Sequence, residues 1–256
     1  MHNILHHSFE GIVWRIYIDH ATKHIIIETR NAATRSASYY GTSLLEPEMY
    51  SMRVPFGIDT WWIGIESVNE GVILFHKYDA AQWAQHTGIY AYNYLTNKEL
   101  WKMTDVAFVS LHATKIITFN IKDPSKMLCL HLHTGDVQAQ VSFTGSYTQT
   151  ALTPQIFYPD DEKYGIISNY IFKKTQYLPS HEIQYLEYNS KIFITYTYKK
   201  HDKLYENILL LSNEGEILLH KTIHTAMWGS GNGSFFIFEQ KLIVICEKHI
   251  IEIYNL

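Results

Sequence analysis

The sequence predicts an all-β chain folded as a β-propeller, and three observations support this fold class. The composition favours strands, since Tyr (19), Phe (12) and Trp (6) are abundant while charged residues make up only 18%. Hairpins of similar sequence recur inside the chain. The C-terminal segment His249–Leu256, continued by the N-terminal segment Phe9–Ile16, matches the internal hairpin Gly88–Lys102. A repeat divided between the two ends predicts a ring in which an N-terminal strand completes the C-terminal sheet.

The internal repeats are hairpins with specific turn chemistry. Each consists of a strand, a tight turn and a second strand, at Gly88–Lys102, Lys126–Gln140 and Glu206–Lys221. Their turns contain Asn97, Gly135 and Gly215, which are residue types that tolerate the positive φ of a tight hairpin. We therefore expect these three positions to adopt positive φ.

Further strands upstream of each hairpin complete five predicted blades. These blades cover Arg15–Val54, Trp61–Met103, Val106–Phe143, Ile183–Ile223 and Ser234–Tyr254. The returning strand Gly11–Arg15 is expected to complete the last blade. A spacing of about 40 to 45 residues per blade would also allow six blades, with a degenerate one between Gly145 and Ser180. Trp14 and Trp101 occupy the same repeat position, and we expect each to be buried between adjacent blades.

The interval between blades three and four has helical features. Pro159–Glu162 supplies an N-cap candidate and acidic residues for a first turn, and Lys173–Lys174 supplies cations for a last turn. Apolar residues recur at helical spacing between them, at Tyr164, Ile167 and Ile171. These signals predict one inserted helix over Asp160–Lys174.

Charge and composition exclude several classes of partner. Lys and Arg (21) are outnumbered by Asp and Glu (25), so the chain lacks the basic field that attracts nucleic acid or an anionic membrane surface. The start of the chain has no basic and apolar regions of a secretory signal, and no run approaches the ~20 apolar residues of a membrane span. Cys129 and Cys246 lie in apolar strand patterns and are predicted to be buried free thiols. We expect a cytoplasmic monomer, with residues 1–256 forming one domain.

Two sets of residues resemble known propellers. The segment Ala91–Trp101 is similar to the repeat of quinoprotein-type (PQQ-type) propellers, with Asn93 and Asn97 in place of the usual Asp and Gly. Segments along nearly the whole chain resemble an uncharacterised bacterial propeller family that carries only a domain-of-unknown-function label, notably Phe9–Arg15, Ile27–Asn31, Trp61–Trp62, Gly88–Ala91, Glu182–Glu187 and Asn207–Leu209. The resemblance implies a propeller fold and supplies no activity and no cofactor.

Six residues are candidates for a ligand site on the funnel face, the end of the ring where the central channel opens: Glu28, Arg30, Trp62, Glu66, His76 and His86. Trp61 and Trp62 begin the predicted inner strand of blade two, so one should pack in the core and the other face the channel. Glu28 and Arg30 share one face of a strand, where an ion pair with a structural role is expected. The sequence therefore predicts a non-enzymatic module that binds a protein or a small molecule on this face.

Alternatives to this binding module rest on weaker patterns. A hydrolase or lyase acting on a sugar-like substrate would need paired acids at the funnel mouth, drawn from Asp59, Glu66, Asp79, Asp105 and Glu187. A quinone-dependent dehydrogenase is disfavoured because the chain is short and lacks an export leader and paired cysteines. The histidine pairs 131/133 and 220/224 have no third ligand at motif spacing, so no metal and no catalytic residue is assigned. Gly229–Gly233 precedes a strand and is interpreted as a loop between blades.

Overall fold

The computed structural model describes residues 2–54, 59–78, 86–138, 151–227 and 233–256. Its strands in chain order are β1 His2–Ser8, β2 Ile12–Asp19, β3 His24–Asn31, β4 Ser36–Ser43, β5 Tyr50–Met52, β6 Ile63–Asn69, β7 Val72–Tyr78, β8 His86–Asn93, β9 Lys98–Met103, β10 Val106–His112, β11 Lys115–Asn120, β12 Met127–His131, β13 Val137–Gln138, β14 Gln155–Phe157, β15 Ile183–Tyr188, β16 Lys191–Lys200, β17 Lys203–Ser212, β18 Ile217–Met227, β19 Phe235–Phe238, β20 Lys241–Cys246 and β21 Ile250–Asn255. The helices are a 3-10 turn, Thr60–Trp62, and α1, Tyr164–Thr175. The all-β prediction is confirmed.

The described chain forms two compact units, and the first comprises residues 9–148. It contains three antiparallel four-stranded sheets in which strands pair in chain order: β2 to β5, β6 to β9 and β10 to β13. The central strands are buried on both faces, because Ile25–Ile27 and Val72–Phe75 are uninterrupted apolar runs. Of the predicted strand Val137–Phe143, only Val137–Gln138 lies within the described residues.

The second unit comprises residues 1–8 and 149–256. One of its sheets has the order β1-β21-β20-β19, and the other is a five-stranded meander from β14 to β18. Continuous apolar runs again fill the central strands, with Ile208–Leu211 and Leu242–Val244 fully buried. Cys246 here and Cys129 in the first unit are buried free thiols, as predicted.

The sequence predicted the wrong N-terminal segment as the partner of the C-terminal strand. An N-terminal strand does pair with β21, but it is β1, in which Leu5 lies opposite Ile253. Gly11–Arg15 overlaps β2, which pairs with β3 along its length. Trp14 is consequently 53% exposed and is not buried between sheets. The sequence of β1 did not predict a strand, because it is rich in histidine and has few apolar positions.

The hairpin turns follow the prediction. Asn97, Gly135 and Gly215 have φ values of 61°, 73° and 79°. At Gly135 a Cβ atom would lie 2.7 Å from the ring of Trp101, so a side chain is excluded by contact as well as by φ. Trp101 itself is partly buried and donates from Nε1 to the carbonyl of Leu132 at 2.9 Å.

The helix α1 begins later than the predicted Asp160 and ends one residue after the predicted Lys174. The N-cap residue is Lys163, whose side chain makes no capping hydrogen bond, while Asp161 accepts a hydrogen bond from the backbone N–H of Tyr158. Tyr164 and Ile171 are buried against β15 and β16, as their spacing predicted. In the described part of the interval proposed for a sixth blade, the one strand is β14, which joins the five-stranded sheet. No described helix has the length and apolar character needed to span a membrane.

β-Bulges recur at equivalent places in four of the five described sheets. In each, the edge strand that comes first in the sheet order contains one extra residue relative to its neighbour, namely Ile4 in β1, Trp14 in β2, Glu66 in β6 and Val109 in β10. A bulge bends the strand and redirects the side chain at that point. Glu66 is the one polar residue among these four bulged positions.

A buried carboxylate connects two sheets of the first unit. Asp19, at the end of β2, is fully buried and accepts five hydrogen bonds, from the backbone N–H groups of Ala21, Thr22, Glu70 and Gly71 and from the Tyr94 hydroxyl. The bonds from Gly71 and Tyr94 measure 2.7 and 2.8 Å. Asp19 thus fixes the β2–β3 turn against the β6–β7 turn.

Candidate functional site

An aromatic pocket of about 390 Å³ lies in the unit formed by residues 9–148. Its lining consists of Ile12, Trp14, Arg30, Ala32, Trp61, Trp62 and Tyr78. Three indole rings and one phenol ring therefore surround a space of the size that small molecules occupy, roughly 300 to 1,000 Å³. None of the seven lining residues carries a carboxylate.

Trp61 and Trp62 both line this pocket because they belong to a 3-10 turn. Asp59 caps the turn, accepting a hydrogen bond from Trp61 N on its side chain at 3.0 Å and one from Trp62 N on its carbonyl at 3.1 Å. The prediction that the two indoles face opposite ways is wrong, because alternation applies to strands and β6 begins only at Ile63.

The predicted ion pair between Glu28 and Arg30 is confirmed, and it supports the wall of the pocket. Arg30 Nε donates to Glu28 Oε1 at 2.7 Å, and Nη2 contacts the same oxygen. The guanidinium also donates to two backbone carbonyls, from Nη1 to Trp61 at 2.6 Å and from Nη2 to Ile63. Glu28 Oε2 accepts a hydrogen bond from the Ile65 backbone N–H at 3.3 Å. The pair therefore holds the 3-10 turn and the start of β6 against β3.

Positive charge lies beside the aromatic rings of the pocket. The Arg30 guanidinium carbon is 5.7 Å from the Trp61 ring centroid and 6.0 Å from that of Tyr78. The guanidinium of Arg35 is 6.0 Å from the Trp62 ring. These distances are within the range of cation–π contacts, so the protein's own cations already occupy part of the aromatic surface.

Next to the pocket, Glu66, His76 and His86 form a compact cluster. Glu66 Oε1 lies 2.7 Å from His86 Nδ1 and 3.1 Å from His76 Nδ1. The two imidazoles are stacked, with centroids 3.6 Å apart and planes 6° from parallel. Tyr78, which lines the pocket, contacts both rings edge-on with centroid distances of 4.5 and 5.0 Å. The pocket and the cluster thus share one wall.

The cluster draws on three neighbouring strands of one sheet. The bulge in β6 adds Glu66 to the strand, and a second irregularity lies where β8 passes His76 of β7. Gly64 lies opposite His76, and a Cβ atom there would approach the imidazole within 2.7 Å. A glycine at position 64 is therefore required for His76 to occupy its buried position.

The electrostatics of the cluster favour an ionised carboxylate. Burial alone would raise the pKa of Glu66, but the imidazoles of His76 and His86 outweigh this effect and leave the pKa below its usual range. Burial lowers the pKa of His76, whose side chain has no exposed surface, despite the opposing effect of Glu66. Burial likewise raises the pKa of Tyr78. At neutral pH the cluster is best described as a carboxylate beside a neutral, buried His76.

The six predicted residues therefore fall into two adjacent groups. Trp62 and Arg30 line the pocket and Glu28 lies behind it, while Glu66, His76 and His86 form the cluster. Sequence reasoning missed Trp14 and Tyr78 as pocket residues. Tyr78 had a signal, since it follows His76 by two residues and so shares its side of β7.

The other candidates from the sequence have structural partners. The rings of His131 and His133 lie 5.8 Å apart, and His133 Nε2 is 3.2 Å from Glu70. In the second unit, His220 Nε2 is 2.8 Å from the hydroxyl of Tyr196. Asp79 and most of the glycine-rich segment 229–233 lie outside the described residues.

Comparison with solved structures finds matches that include a β-propeller domain and a WD40 domain. BamB from Moraxella catarrhalis matches with 7% identity and a TM-score of 0.34, covering 94% of this chain and 82% of BamB. The β-propeller domain of the Trilobed protease from Pyrococcus furiosus matches with 11% identity and a TM-score of 0.34, covering 94% of this chain and 78% of that one. The Pan2 WD40 domain from Neurospora crassa matches with 12% identity and a TM-score of 0.31, covering 97% and 71%.

Comparison of the sequence with protein-family models gives one match, which covers part of the chain. No curated protein matches the chain. Residues 18–101 match a family model described as a domain of unknown function, DUF4905, and this range contains all six residues predicted for the site.

Proposed function

We propose that this chain is a non-enzymatic binding module built as a five-bladed β-propeller, and that its aromatic pocket binds a small molecule with a flat, uncharged ring. The five sheets of the described residues and the pairing of β1 with β21 support the five-bladed ring. The observation that carries the functional part is the pocket itself, with three tryptophans and one tyrosine around about 390 Å³. We further infer a cytoplasmic monomer without nucleic-acid or membrane partners.

The chemistry of the lining favours a flat, uncharged ligand. Indole rings attract flat rings by offset stacking and edge contacts, beyond the area that they bury. An aromatic cage for a quaternary ammonium group would need faces free of other cations, whereas Arg30 and Arg35 already lie over Trp61 and Trp62. With no carboxylate in the lining, a cationic ligand would find no anionic partner there.

The sugar hydrolase or lyase alternative is not supported by this pocket. That mechanism requires two carboxyl groups flanking the substrate, about 5 to 10 Å apart. None of the described lining residues carries a carboxyl group. Glu28, behind the pocket, is already hydrogen-bonded to Arg30 and to the backbone N–H of Ile65.

Ligand-observed NMR with a panel of aromatic heterocycles, monosaccharides and choline tests the proposal. We expect heterocycles to bind and choline not to bind. Trp14→Ala should weaken binding by about 1 to 2 kcal/mol, or roughly 5- to 30-fold, because it removes one stacking surface. Trp14 is 53% exposed, so the fold should tolerate its loss.

Leu95→Ala is the matched control, since Leu95 is 54% exposed in the same unit and does not line the pocket. Binding of the heterocycles should be unchanged in this variant. Equal binding by wild type and Trp14→Ala, or preferential binding of choline, would refute the assignment of the pocket.

A further inference from the structure

We propose that Glu66, His76 and His86 bind a divalent first-row transition-metal ion, with Zn²⁺ as the simplest occupant. This goes beyond the sequence, from which no metal ligand was assigned, and it does not depend on what occupies the aromatic pocket.

The donor atoms are of the type that such an ion takes, and they lie close together. One carboxylate oxygen and two imidazole nitrogens all lie within 4.8 Å of one another. Imidazole and carboxylate are the ligands that Zn²⁺ and its first-row neighbours take from proteins, and three protein ligands leave a position open for solvent. Among groups of three or more His, Cys, Asp or Glu residues in the described chain, this is the one whose donor atoms lie this close together.

The state of His76 indicates a ligand. Its side chain has no exposed surface, and neither of its ring nitrogens makes a hydrogen bond with a described residue. Nδ1 lies 3.1 Å from Glu66 Oε1, which also contacts His86 Nδ1 at 2.7 Å. A buried polar atom without a partner is costly, by about 1 to 3 kcal/mol. A metal ion bound to Nδ1 would satisfy this atom.

Coordination requires a movement that the structure permits. A metal ion lies in the plane of each imidazole that binds it, and the two rings are parallel, so their lone pairs do not meet. His76 is fixed, because its Cε1 and Nε2 atoms pack against Gly64. His86 has a side chain that is 33% exposed at the first residue of β8, so it is the ring that can turn. We therefore expect metal binding to separate the stacked pair.

A carboxylate at the bulged position is specific to this sheet among the four that have the bulge. The corresponding bulged residues in the other three sheets are Ile4, Trp14 and Val109. A bulge that only shaped the strand would be equally well served by an apolar side chain, as it is in those sheets. The carboxylate at this point therefore has a local role, which is to face His76 and His86.

The test is titration of tag-free, EDTA-treated full-length protein with ZnCl₂ by calorimetry, with metal content measured after dialysis. Wild type should bind one equivalent of Zn²⁺ more than His86→Ala and Glu66→Gln, or bind that equivalent at least 10-fold more tightly. His133→Ala is the matched control, because it also removes a histidine paired with a glutamate. It should behave as wild type.

Circular dichroism checks that each variant folds. If His86→Ala does not fold, Glu66→Gln still tests the proposal, because glutamine preserves the shape of the side chain. Co²⁺ bound to wild type should show visible absorption bands that Glu66→Gln lacks. Identical Zn²⁺ stoichiometry and affinity in wild type, Glu66→Gln and His86→Ala would overturn the proposal. Loss of the same equivalent in His133→Ala, or no stoichiometric binding by wild type, would also overturn it.

Discussion

The stability of the second unit should depend on pH through one buried carboxyl group, Glu206 of β17. Its side chain is 2% exposed, and Oε1 accepts a hydrogen bond from Ser234 Oγ at 2.6 Å. Oε2 has no described hydrogen-bond partner, and the nearest cation candidate, His224 Nε2, is 3.9 Å away. Burial raises the pKa of Glu206 to about 7, and Ser234 and Thr195 only partly oppose this effect, while Glu182 adds to it.

The sign of the effect follows from proton linkage. The pKa of Glu206 is about 7 in the folded chain and 4.5 as its ordinary value, so between these pH values the folded state binds more protons. Its free energy of unfolding therefore falls as pH rises from 4.5 through 7. At about 1.4 kcal/mol for each pH unit, the full loss is about 3 kcal/mol, of which about 2.5 kcal/mol falls between pH 5 and pH 8. Burial also lowers the pKa of His224, so it offers no compensating cation at neutral pH.

Glu206→Gln removes the titrating group and keeps the shape of the side chain. We expect the variant and wild type to have similar free energies of unfolding near pH 5, and the variant to be more stable by about 2.5 kcal/mol at pH 8. Urea unfolding monitored by circular dichroism at half-unit steps of pH measures the difference. Glu214→Gln, in the exposed turn between β17 and β18, is the control and should show no such trend. A difference between Glu206→Gln and wild type that is constant with pH would refute the reasoning.

Three further substitutions test the supports of the first unit. Asp19→Asn should lower the free energy of unfolding by about 3 kcal/mol in urea titrations, because an amide cannot accept all five hydrogen bonds; a change under 1 kcal/mol would contradict this role. Arg30→Met should cost about 3 to 5 kcal/mol by the same assay, since it leaves Glu28 buried and unpaired, and Glu28→Gln combined with Arg30→Met should recover part of the loss. Gly64→Ala should displace His76 and lower the melting temperature in calorimetry, whereas Gly165→Ala, where a Cβ meets nothing within 4 Å, should not.

Local features of the fold were predictable from the sequence, and long-range ones were not. The hairpin turns at Asn97, Gly135 and Gly215 were predictable, because positive φ limits the residue types that fit. The partner of β21 was misassigned, because repeat similarity pointed to Phe9–Ile16 and nothing in the histidine-rich β1 favoured a strand. Pairing between the ends of a chain depends on register and burial, which a local pattern does not encode.

The candidate site likewise has local features that the sequence predicted and long-range features that it did not. The Glu28–Arg30 pair was predictable because both residues share one strand and a spacing of two. The convergence of Glu66 with His76 and His86 depends on bulges, which have no reliable sequence signature. The orientation of Trp61 and Trp62 was predicted wrongly because a 3-10 turn, capped by Asp59, replaces the expected strand.

The recurring bulge also bears on how this architecture can acquire new chemistry. A bulged residue is left out of the regular hydrogen-bond pairing, so its side chain can be exchanged without breaking the ladder on either side. Isoleucine, tryptophan, valine and glutamate at the four equivalent positions show that widely different side chains are accommodated there. Each of these four sheets therefore offers one place where a functional group can be introduced while the scaffold around it stays the same.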